Sequence, residues 1–163
     1  MSTPTKVLVS GQTYNIFKHD GIRNELPVGV YEIGFSMQGP YLTKQDDIEL
    51  PKKIYSNDTD FIAHVMKSWD NLEKGNLGVG LVGGKGLGKS LTCNLICQLT
   101  GLPVIKLSQL VGDTSFIDYI KQLDQDFVLF IDEFEKIFPK DFNGEDGRAS
   151  QEQLLSFLDG GTV

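Results

Sequence analysis

The 163-residue chain is poor in the side chains that staple or metallate small proteins, with two cysteines and two histidines. Cys93 and Cys97 make no disulfide framework and fit a reducing compartment. Arginine is equally scarce, at Arg23 and Arg148 only. Positive charge is outweighed: 15 Lys and Arg stand against 22 Asp and Glu, a net charge of −7. From Asp113 to Asp159 twelve acids face Lys121, Lys136, Lys140 and Arg148. That surplus argues against non-specific binding to a nucleic-acid backbone, while leaving room for a small basic pocket. No apolar run approaches the ~20 residues of a membrane helix. Met1 to Lys6 lacks the apolar stretch of a secretory signal, so the expected compartment is the cytoplasm. What remains is ordinary globular composition, 40% hydrophobic and 23% charged, enough for one compact domain with or without a small appendage.

Two rhythms divide the chain. Residues 1–55 read as a β-rich N-terminal element. Short runs at Val7–Val9, Tyr14–Phe17, Val30–Phe35 and Tyr41–Thr43 are separated by turn signals such as Ser10-Gly11, His19-Asp20-Gly21 and Gly39-Pro40. Two or three hairpins satisfy that pattern. Residues 56–163 read as a second unit. Ser56-Asn57-Asp58 predicts a helix cap, and Phe61, Ile62, Val65, Met66, Trp69 and Leu72 follow at helical spacing, with Gly75 as a stop. Strands are then expected at Leu77–Val82, Val104–Leu107 and Phe127–Ile131, and helices at Lys89–Thr100, Ser115–Leu123 and Gln151–Leu158. Ser150 and Gln153 form a capping box before the last. Alternating strands and helices predict an α/β fold with a parallel sheet covered on both faces.

Two patterns carry chemistry. Gly83-Gly84-Lys85-Gly86-Leu87-Gly88-Lys89-Ser90 matches G-x-x-x-x-G-K-[ST], between an expected strand and an expected helix. Glycines there let successive N–H groups turn inward on phosphate oxygens, and the helix N-terminus adds positive potential. Lys89 is placed to bridge the phosphates and the Ser90 hydroxyl to ligate Mg²⁺; Leu91 completes the expected binding set. The second pattern is the apolar run Phe127–Ile131 ending in Asp132-Glu133. A buried strand delivers such residues to its carboxyl end, where ligands of open α/β sheets sit. Asp132 is then expected on Mg²⁺, and Glu133 is expected to polarise the attacking water. Glu135 is read as solvated or paired with Lys136. Cys93 and Cys97, four apart on one helix, are read as small buried hydrophobes. His19 and His64 are read as structural.

Together the loop, the Val128–Glu133 strand end and the tail Ser150–Gly160 resemble the AAA+ branch of P-loop ATPases over residues 54–163. The resemblance implies a three-layer P-loop core with strand order 5-1-4-3-2, preceded here by the small antiparallel β element. It implies ATP and Mg²⁺ as ligands, with Lys89 and Glu133 as catalytic residues. Asp132 and Ser90 would hold the metal. It also implies a homo-oligomeric ring that couples hydrolysis to remodelling of a partner; the acidic balance favours a protein over a nucleic acid, and no membrane is expected.

The resemblance has gaps. Leu110-Val111-Gly112 stands where the family carries an aromatic pore-loop triplet. Ile54-Tyr55 stands where family members contact adenine. Arg148 precedes the last helix and is not read as an arginine finger. The chain is expected to be incomplete at its C-terminus, stopping before the first sensor strand, the finger and the lid. The competing expectation is a short nucleotide-binding adaptor that hydrolyses poorly and docks onto a partner ATPase.

Overall fold

A computed structural model describes residues 5–10, 13–18, 23–37, 39–53, 58–108 and 115–137, the first two segments by their backbone only. Strands β1 (Thr5–Ser10) and β2 (Thr13–Lys18) pair antiparallel as a two-stranded sheet of their own. A second hairpin follows, β3 (Val30–Ser36) with β4 (Gly39–Gln45). Its alternating, aromatic-rich sequence favours a half-buried strand pair. Gly34 makes room for the Tyr41 ring opposite it, since a Cβ there would stand 2.6 Å from Tyr41 Cζ.

This hairpin belongs to the main sheet. That sheet runs β4-β3-β5-β6, with β5 at Val104–Leu107 and β6 at Val128–Ile131. Strands β3, β5 and β6 are parallel; β4 is antiparallel, so the sheet is mixed rather than wholly parallel. The reason is local: a two-residue turn can only reverse the chain, whereas a parallel neighbour needs a crossover. A side-chain amide reinforces the union, because Gln125 accepts from Leu26 N–H at 2.6 Å and donates to Leu26 O at 3.1 Å.

Helices cover both faces of the sheet. On one side α3 (Ser115–Ile120) lays Phe116, Ile117 and Ile120 onto Ile33, Ile105 and Leu107, the buried core of the molecule. On the other, α2 (Lys89–Thr100) brings Cys97 toward Lys106, whose ammonium lies 5.6 Å from the centre of the Phe130 ring. Helix α1 (Thr59–Asp70) packs on α2 and buries Val65; it ends at Asp70, short of Gly75. A single turn, α4 (Phe134–Ile137), follows β6. The expected helix at 115–123 is thus shorter, ending at Ile120, and the expected helix at 151–158 lies outside the described residues.

One expected strand is not formed. Leu77–Val82 runs without assigned strand structure, and Leu77, Val79 and Val82 are exposed. Leu77 and Val79 instead line an apolar groove of about 430 Å³ together with Cys97, Val128 and Phe130. Without a ladder partner among the described residues, an apolar, β-compatible run stays irregular.

Candidate functional site

The glycine-rich loop closes on its own lysine. Lys89, first residue of α2, donates from Nζ to Gly83 O and Gly84 O, both at 2.6 Å. Two backbone positions make that curl possible: Gly86 (φ 79°) and Gly88 (φ 82°) are left-handed, a region costly for residues with a Cβ. Gly88 is also the cap residue of α2, so the loop runs straight into the N-terminus of a twelve-residue helix. Residues Gly83–Gly88 and Ser90 are solvent-exposed, with N–H groups, an ammonium and a hydroxyl on one short stretch. That donor set suits a polyanion, and the helix dipole adds to it. Leu91, one residue further on, is half-buried.

The acidic pair sits where β6 ends. Asp132 and Glu133 are exposed and follow Ile131 directly. Asp132 lies close enough to α2 for its charge to help raise the Cys93 thiol, after burial as the larger cause. Glu133 has φ 52°, the one non-glycine residue with positive φ among those described. This turns the chain out of the strand at once, so two neighbouring carboxylates need not face opposite sides of the sheet as they would within it. A residue with a Cβ pays a steric cost in that region, so the turn is held by its surroundings.

Glu133 is also the residue that Lys136 finds. Lys136 Nζ lies 2.5 Å from Glu133 Oε2, and Lys136 N–H donates to Glu133 O at 2.7 Å. A turn sets residues three apart on the same side, which brings Lys136 to Glu133; the side chain of Glu135 lies outside those described. The Lys136 bond lowers the Glu133 carboxyl below its ordinary value, and the charge of Lys85 in the glycine loop lowers it further.

Residues 79–163, just over half of the chain, match the family model described as ATPase family associated with various cellular activities (AAA). The chain belongs to the AAA family. Among curated proteins and among solved structures, no match was found. The AAA match takes in both the glycine loop and the β6 end; it starts at Val79, later than the resemblance expected from residue 54. Membership supports a nucleotide-binding, ATPase-type function. Other expected features fall outside the described residues: Ile54-Tyr55, Leu110-Val111-Gly112, Arg148 and His19. Arg23 is exposed, and so is His64 on α1.

The fit to ATP and Mg²⁺ rests on donor chemistry. Among the described residues no group of three or more His, Cys, Asp and Glu could hold a metal on its own. A hydroxyl at Ser90 and a carboxylate at Asp132 suit Mg²⁺, which takes few protein ligands and fills its shell with phosphate oxygens and water. The cysteines are free: Cys97 is buried, and burial with the neighbouring Cys93 pushes its thiol up to about 11. No helix among the described residues is long and apolar enough to cross a membrane. One relationship escaped the sequence, the bond from Thr92 to Asp58; Asp58 reads there as a helix cap.

Proposed function

We propose that this chain binds ATP with Mg²⁺ at Gly83–Leu91 and hydrolyses it, within a three-layer P-loop core. The observation that carries the proposal is the Lys89 ammonium gathered with the left-handed glycines at the N-terminus of α2. In the site without nucleotide, the Gly83 and Gly84 carbonyls satisfy that ammonium. Phosphate oxygens are stronger acceptors for it, so ATP would draw Lys89 from the carbonyls onto the β- and γ-phosphates. Amides of residues 84–90 supply further donors. Ser90 and Asp132 would hold Mg²⁺, which when bound neutralises charge building on the phosphate oxygens. Glu133, kept ionised beside Lys136 and Lys85, is suited to orient a water and accept its proton.

AAA membership further supports assembly into a homo-oligomeric ring in which hydrolysis remodels a partner. The acidic chain favours a protein partner over nucleic acid. A cytoplasmic setting agrees with the free thiols. Phosphate release by the chain and by Glu133→Gln tests the chemistry. The variant should keep ATP binding and lose turnover by about 10²-fold or more. Turnover unchanged in Glu133→Gln overturns the assignment.

A further inference from the structure

Asp58 immediately precedes α1, where an aspartate ordinarily accepts an N–H from the first turn of its own helix. It makes no side-chain cap bond. Its carboxylate Oδ2 instead accepts a hydrogen bond from Thr92 Oγ1 at 2.7 Å, across 34 residues of sequence. Thr92 is 2% exposed, the one buried polar or charged residue among those described. Burial of a hydroxyl demands a partner, and here the partner is the carboxylate that precedes another helix.

Thr92 lies two residues past Ser90. Its N–H donates to Gly88 O at 3.0 Å, closing the first turn of α2 over the left-handed glycine. Its hydroxyl also stands 3.3 Å from Gly88 O, but one proton cannot serve both acceptors. The shorter, charge-assisted contact to Asp58 takes it. Thr92 thus joins the turn that presents Gly88, Lys89 and Ser90 to the leading end of α1, a helix that lies outside the AAA match.

We propose that Asp58 is a positioning residue for the phosphate loop: through Thr92 it couples ligand binding at Gly83–Ser90 to the leading end of α1. The proposal rests on that loop being the ATP site. Ordering of the first turn by phosphate is then shared with α1, and by reciprocity an ordered α1 favours phosphate binding.

Hydrogen–deuterium exchange of the full chain, with and without ATP and Mg²⁺, tests this. Amides of the loop and of residues 62–66 in α1 should both slow on ATP addition, α1 by about tenfold. Thr92→Val keeps the side-chain shape and removes the donor; the loop should remain protected by ATP while the α1 response disappears. Asp58→Ala removes the acceptor from the other end and should do the same. Asp58→Asn, which keeps an acceptor oxygen, should restore the response. A bond that only holds the fold together would alter α1 equally with and without ATP, so the ATP-dependent difference is the diagnostic quantity. An α1 response that survives both Thr92→Val and Asp58→Ala overturns the proposal. So does a wild-type chain whose loop is protected by ATP while α1 is not. A loop that ATP leaves unprotected removes the ATP-site reading itself, and this coupling with it.

Discussion

Lys136 Nζ and Glu133 Oε2 stand 2.5 Å apart across the single turn that ends β6, with side chains 73% and 54% exposed. Exposed pairs of this kind add little to stability, because water screens both charges and two long side chains must be ordered. Lys136→Ala should therefore shift the melting temperature by less than about 2 °C. Differential scanning calorimetry measures it. A drop of about 10 °C would mean that Lys136 holds the turn itself together.

The core on the α3 side is where stability resides. Ile105 is fully buried between Ile33, Leu107, Phe116 and Ile120. Ile105→Ala removes buried methylenes and leaves a cavity that a sheet can only partly close. The expected cost is about 2–5 kcal/mol, read as a lower urea midpoint. A loss below about 1 kcal/mol would show that β5 is not the centre of a packed sheet.

Burial raises the Cys97 thiol from an ordinary 9.0 to about 11. The folded chain then keeps a proton that the unfolded chain releases above pH 9. Stability from this residue is present in full below pH 9 and is lost as pH rises toward 11. The same shift makes Cys97 slow toward alkylating reagents, since the thiolate is the nucleophile. At pH 8, mass-spectrometric labelling of the native chain should be roughly a hundredfold slower at Cys97 than at a free thiol. Labelling at the rate of a free thiol would contradict its buried placement on α2.

Elements with a local cause were legible in the sequence. The bounds of α2 follow from the glycine loop ahead of it and Gly101 behind, and β5 from a short apolar run between turns. Both hairpins follow from alternation and turn residues. Relationships decided by distant neighbours were not legible. Leu77–Val82 has the composition of a strand, yet composition cannot say whether a hydrogen-bonding neighbour exists, and none does among the described residues. The addition of β3 to the edge of β5 is likewise a meeting of segments about 70 residues apart (Val30 with Val104). In the site, the loop and the acidic strand end were visible as motifs. The pairing of Lys136 with Glu133 follows a left-handed residue, and Asp58 meets a threonine that only folding brings near.

Everything proposed for the site depends on Lys89 being free to exchange two carbonyls for phosphate oxygens. Calorimetric titration of ATP with Mg²⁺ into the chain and into Lys89→Ala addresses that most directly, with circular dichroism confirming that both are folded. Loss of a charge-assisted contact worth ~1.5–3 kcal/mol should weaken ATP binding by about 10- to 100-fold or more in the variant. Equal affinity of the two proteins for ATP would contradict the account.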